Sequence, residues 1–225
     1  MEVIRNYFLL FIIYSFIGWL MEVTFTLITD KKLTNRGFYI GPYCPIYGVG
    51  CILILLVCSK YENYPLIFFT FSIFIASILE YFTSYFMEKL FKARWWDYSK
   101  RKFNLNGRIC LETMIPFGLI ACFVMYVLNP IITNFMNKLS PSCLNTSAII
   151  ILILFIIDFI ISFNIINNFK NTVKSVSIND RTEDVNKYVK NILLKKSILH
   201  RRLIKSFPKI QTHIDKLKKD FKKKS

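Results

Sequence analysis

The sequence predicts an all-α protein, a polytopic membrane bundle of about five spans followed by a basic amphipathic helical tail. Three observations carry this. Hydrophobic residues make up 54% of the 225-residue chain. They gather into runs that approach the roughly 20 residues needed to cross a hydrocarbon core of about 30 Å, whereas a soluble domain breaks its apolar runs with polar faces. The basic residues, in contrast, concentrate after the last run: from Lys170 onwards there are seventeen Lys/Arg against five Asp/Glu, so +12 of the +16 net charge lies in the tail.

The first run covers about residues 7–29. It is longer than the apolar region of a secretory signal, and its Glu2 and Arg5 flank is not clearly basic, so it is read as a span and not as a cleaved leader. The second, about 40–59, begins with GPYCPIYG, residues 41–48. Proline is tolerated in the first turn of a helix, where no N–H is required. Pro45 is therefore expected to open the helix, with Pro42 in a non-helical approach. A span that must reach back to Ile40 then leaves irregular backbone at membrane depth, which survives only where protein buries it or water reaches it. Two readings stay open: a cavity or re-entrant segment whose free N–H groups attract anionic groups, or an ordinary interfacial turn. Gly41, Cys44, Gly48, Cys51 and Cys58 recur at near-helical steps, a small-residue stripe along which another helix can approach.

The third run covers about 64–90. The fourth, about 108–135, leaves an Asn106-Gly107 turn, and the fifth covers about 146–169. Trp95, Trp96 and Tyr98, in the loop before the fourth run, are natural interfacial anchors. The loops after the first and third runs carry ten Lys/Arg, against three on the other side. Positive charge stays on the cytoplasmic side, so the expected orientation in the plasma membrane is N-terminus outside and C-terminus inside. The expected domains are a transmembrane domain over 1–170 and a cytoplasmic tail over 171–225. In the tail, Val185, Val189, Ile192, Leu199 and Leu203, then Ile210, Ile214, Leu217 and Phe221, recur at helical spacing on either side of Pro208. Such helices contact anionic lipid or pair with a partner. No nucleic-acid-binding motif accompanies the charge. The six cysteines form no CxxC or Cys/His set, so neither a metal site nor a disulfide framework is expected.

Ionisable residues inside spans are costly and usually functional. Here they are Glu22, Glu80, Glu112 and Asp158, with Glu88 and Arg108 near the boundary. At about 1.5 Å per residue, Glu22 lies roughly 10 Å and Glu80 about 15 Å from the cytoplasmic ends of their spans. Glu112 lies about 6 Å beyond Arg108, and Asp158 falls near mid-span. Arg108 and Glu112, at i and i+4, can pair on one helix face. Glu22 and Glu80 have no local cation and need a loop arginine, a hydrogen-bonding neighbour or a proton. These residues either line a substrate or ion pathway or hold the bundle together by ion pairs. Arg36 and Arg94, with Gly37, Gly41 and Gly107, are candidates for loops that hold a phosphate or carboxylate; positive-inside topology also accounts for the arginines.

YSFIGWLMEV, NRGFYIGPYCPIYGVG, LEYFTSYFMEKLFKARWWDYS and FNLNGRICLE together resemble the bacterial family labelled ABC-transporter type IV permeases, over about residues 8–170. Positions matching the family include Gly18, Trp19, Glu22, Asn35, Arg36, Gly37, Gly41, Pro42, Pro45, Gly48, Glu80, Trp95, Trp96, Asp97, Asn106, Gly107 and Arg108. The resemblance implies a permease but supplies no substrate and no catalytic residue. The chain has no GxxxxGK[ST] phosphate loop, so an ABC permease of this kind requires a separate ATPase subunit. Five spans are few for a complete pathway, so a homo-oligomer is expected. The rival classes are an enzyme acting on lipid or isoprenoid phosphates, with the carboxylates as acid and base, and a scaffold or sensor working through its tail. The absence of His before His200 and of an acidic metal motif weighs against the enzyme. No cofactor is expected.

Overall fold

The computed structural model describes residues 2–31, 33–35, 37–91, 93–179 and 211–212. Its helices are α1 (Glu2–Asp30), α2 (Pro45–Cys58) with a 3₁₀ turn at Ser59–Tyr61, α3 (Pro65–Phe91), α4 (Leu111–Phe123), α5 (Asn129–Asn137) and α6 (Pro141–Asn179). A π-helical turn, Val124–Leu128, joins α4 to α5. Pro130 follows two residues after it, and a locally widened helix accommodates the missing N–H and the proline ring. Four stretches are long and apolar enough to cross a membrane: Glu2–Thr29, Pro65–Phe91, Leu111–Asn137 and Pro141–Asn168.

The remaining apolar helix is shorter than the sequence suggests. Pro45 stands in its first turn, as expected, after an extended Cys44. Fourteen helical residues rise only about 21 Å, against a hydrocarbon core of about 30 Å. The start of α2 is also displaced inwards: the Cys44 amide donates to the Ser15 carbonyl at 2.9 Å, halfway along α1. Residues 40–44 therefore run as non-helical backbone inside the bundle. Gly41 and Cys44 lie ahead of the helix, so the expected small-residue stripe begins at Gly48. There it does what a small residue allows. A Cβ on Gly48 would sit 2.4 Å from the Phe11 carbonyl oxygen and 2.2 Å from Ser15 Oγ. On the facing helix, Gly18 leaves room for the Tyr47 ring.

Three apolar clusters hold the bundle. Leu9, Leu10, Tyr14, Val124, Met136, Leu144 and Ala148 join α1, α5 and α6 at one end. Ile54, Cys58, Phe68, Ala121 and Met125 lock α2, α3 and α4. Phe91, Trp95 and Ile166 close the other end. Ile and Leu side chains of α6 such as Ile149, Leu154 and Ile160 stay exposed, the pattern of a helix facing lipid on its outer side. All six cysteines are free thiols, with Cys58 in the core and Cys143 on the surface.

Between α3 and α4, a small hairpin pairs Asn104–Leu105 with Ile109–Cys110. Its turn places both Asn106 and Gly107 at positive φ, the conformation that favours an Asn-Gly pair. Residues 93–94 pair with 211–212. The amphipathic tail helices expected on either side of Pro208 lie outside the described residues.

Candidate functional site

The irregular backbone before α2 is satisfied by a carboxylate from a distant helix. Asp158, on α6, accepts from the Ile40 amide at 3.0 Å, the Gly41 amide at 2.7 Å and its own helix neighbour Ser162 at 2.7 Å. The Tyr43 hydroxyl donates to it as well. Upstream, the Asn35 carboxamide fixes the same loop. Its oxygen accepts from Trp19 Nε1 at 2.7 Å and the Gly37 amide at 3.1 Å, while its nitrogen donates to the Ile40 carbonyl at 3.0 Å. The free N–H groups of this loop do meet an anion, and the anion belongs to the chain.

The loop after α3 carries a second internal ion network. Glu88 is buried and its Oε2 is shared by Arg108, at 2.7 Å, and Arg94, at 3.2 Å. Arg108 also donates to Ser84 and lies over the rings of Tyr81 and Tyr85. Arg94 reaches on to Asp97, which receives the Ser99 amide and hydroxyl. Partial burial raises the Asp97 carboxyl, but Ser99 and the Arg94 guanidinium outweigh it and hold the group below the usual range. The expected Arg108–Glu112 pair is replaced by these contacts. Helix α4 begins only at Leu111, so Arg108 stands in the hairpin turn before it, where i,i+4 geometry does not apply. Glu112 is exposed and pairs with Arg101 at 2.9 Å.

This network folds the loop back into the bundle. Trp95, expected at the interface, is buried between Phe91, Phe38 and Ile166, and Trp96 Nε1 donates to the Arg108 carbonyl. Tyr98 reaches inwards to donate to Glu80 Oε1 at 3.2 Å. Burial pushes the Tyr98 phenol far above its usual range, and the charge and hydrogen bond of Glu80 push it further, so it stays a donor. Glu80 is itself only 6% exposed, and its Oε2 finds no hydrogen-bond partner among the described residues. Nearby, the Tyr47 hydroxyl donates to Glu22 Oε1 at 2.6 Å. Glu22 lies within electrostatic reach of both Glu80 and Tyr98.

The structure thus brings Glu22 and Glu80 together, each carrying a tyrosine hydroxyl, and sorts the other expected residues away from them. Asp158 and Gly41 belong to the loop clamp. Arg94, Arg108 and Gly107 belong to the Glu88–Asp97 network, and Gly37 turns on Asn35. Arg36 lies outside the described residues. Tyr47, Tyr98, Tyr43 and Ser162 were not singled out as site residues from the sequence. Ser162 had a legible signal, one helical turn after Asp158; the tyrosines had none, because their partners lie 18 to 115 residues away. No curated protein and no solved structure matches this chain. A family model does, over residues 9–163, most of the bundle and all of the groups just described. The chain belongs to the family described as "Putative ABC-transporter type IV".

Proposed function

We propose that the protein is a membrane permease subunit whose polar site lies between α1, α2, α3 and the loop before α4, and opens to the cytoplasm. One observation carries this reading: two carboxylates, Glu22 and Glu80, lie close together in the bundle, each with a tyrosine hydroxyl and apart from the Asp158 and Glu88 networks. Polar groups at such depth are expensive to keep and mark transport pathways. Transporters build such sites where helices start part-way through the bilayer, and the mid-bundle start of α2 fits that design. Family membership supports an ABC-type assembly. The ATPase is then a separate chain, and two or more copies of this subunit complete the pathway. Asp158 and Glu88 serve as positioning residues, holding the two loops from which the site is built. The basic tail contacts anionic lipid through its apolar stripe and lysines.

The test is affinity purification from native membranes in mild detergent, scored for a P-loop ATPase. Recovery of an ATPase in fixed ratio to this subunit is the expected result. A homo-oligomer with no ATPase at any detergent strength overturns the ABC assignment and leaves a small oligomeric carrier.

A further inference from the structure

An internal repeat lies in the bundle. Shifting α1 by 58 positions lays Phe11, Phe16, Ile17 and Glu22 on Phe69, Phe74, Ile75 and Glu80, all identical. Gly18, Leu20, Met21 and Thr26 fall on Ala76, Ile78, Leu79 and Ser84, all conservative. Three-dimensional contacts match independently of the letters. In α2, a Cβ on Gly48 would collide with Phe11; in α4, one on Gly118 would collide with Phe69, which is the shifted equivalent of Phe11. Each glycine follows an aromatic residue, Tyr47 or Phe117, and these two rings meet edge to face at 6.4 Å. The hairpins α1–α2 and α3–α4 are therefore two copies of one unit, and Glu22 and Glu80 are the same residue in each copy.

We infer that Glu22 and Glu80 form a single proton-binding site at the interface of this repeat, a proposal that rests on the permease reading and names the ion its site takes. Transport sites recur at repeat interfaces. The structure argues for a proton over a metal ion. Each carboxylate has one oxygen engaged by a tyrosine hydroxyl, which donates and so cannot also face a cation with a lone pair in that direction. Glu80 Oε2 is left buried and without a donor among the described residues. Adding one proton there converts the carboxylate to the neutral acid and removes the like charge facing Glu22, which outweighs leaving one neutral O–H buried. A second carboxylate nearby disfavours the ionised form, and Glu80, whose Oε2 is buried and unpartnered among the described residues, is the group that takes the proton.

Among the described residues, Glu22 from α1 and Tyr98 from the loop face Glu80, with Tyr47 of α2 behind Glu22 and Cys110 behind Tyr98. On α3 itself, Ser84 and Glu88 follow one and two turns on, and Glu88 is neutralised by Arg94 and Arg108. Glu112 on α4 is exposed against Arg101, and Asp158 on α6 is saturated by the loop it holds.

The experiment is infrared difference spectroscopy of the full-length protein in nanodiscs, following the C=O stretch of a protonated carboxyl at neutral pH. Wild type should show the band, and Glu80→Gln should lose it. Glu22→Gln should weaken it, because the charge that favours protonation is gone. Tyr98→Phe keeps the carboxyl and should shift the band upwards in frequency, which keeps the proposal testable even if Glu80→Gln fails to fold. No band in wild type, a band that survives Glu80→Gln, no weakening in Glu22→Gln, or no shift in Tyr98→Phe would each overturn the proton site at Glu80. A sodium-dependent change in place of the band would assign an inorganic cation and overturn it too. Failure to recover an ATPase leaves these spectra unaffected, so the two readings fall separately.

Discussion

Asp158 shows how one residue can be conspicuous in the sequence while its use stays hidden. An aspartate in the middle of an apolar helix announces itself by cost alone. Its four donors, however, come from Ile40, Gly41 and Tyr43, more than a hundred positions earlier, and from Ser162 one turn away. Glu80, just as conspicuous, has one donor, and its other oxygen has no partner among the described residues. The first acts as a clamp. Asp158→Asn tests the clamp. The amide would turn donors of its own towards the Ile40 or Gly41 N–H and leave a buried donor unmet, at a cost of about 1–3 kcal/mol. The melting temperature in detergent should fall, and backbone hydrogen exchange over residues 38–44 should quicken. An unchanged melting temperature would show that the loop holds without its carboxylate.

At the scale of elements, the long apolar runs marked α1 and α3 to within about five residues and the apolar part of α6, which continues ten residues past the expected end, and Pro45 marked the first turn of α2. What hydropathy does not record is how deep a helix begins. α2 starts at the level of Ser15 because Gly48 lets it lie against the α1 backbone there. The glycines of the two hairpins are expected to differ in tolerance. An added methyl at Gly48 meets a backbone carbonyl, which cannot turn aside, whereas at Gly118 it meets the side chains of Ile73 and Phe69. Gly48→Ala should therefore destabilise by about 1–3 kcal/mol through overpacking, and Gly118→Ala by less. Thermal melts of the two variants in the same detergent check the order; equal losses would mean that the α1–α2 contact can relax.

For the whole molecule, orientation rests on the ten-to-three bias of Lys/Arg between the loops. Glu62 lies in the turn between α2 and α3, and Lys100 in the loop between α3 and α4, at the opposite end of α3. In a Cys-less background, a cysteine at position 62 should be labelled by an impermeant reagent from outside, and one at position 100 only after the membrane is opened. The reverse pattern would turn the molecule over and place the Glu22–Glu80 site towards the exterior.

Composition and apolar runs were enough to determine an all-α membrane bundle, the approximate ends of its helices, and the short list of intramembrane carboxylates, because the cost of burying charge and the thickness of a bilayer act on any helix alone. The pattern also suggested that α2 begins badly for a helix, since Pro42 and Pro45 act locally. Only tertiary structure decided what each charge does. Arg108 was paired on paper with Glu112, four residues on, yet it turns to Glu88 because the chain there is not yet helical. Trp95 and Tyr98 were placed at the lipid surface, yet the ion pairs of Arg94 and Arg108 draw their loop into the bundle. In a medium without water, a polar group takes whichever partner the packing of distant helices brings within about 3 Å, and that choice is not written in the spacing of neighbouring residues.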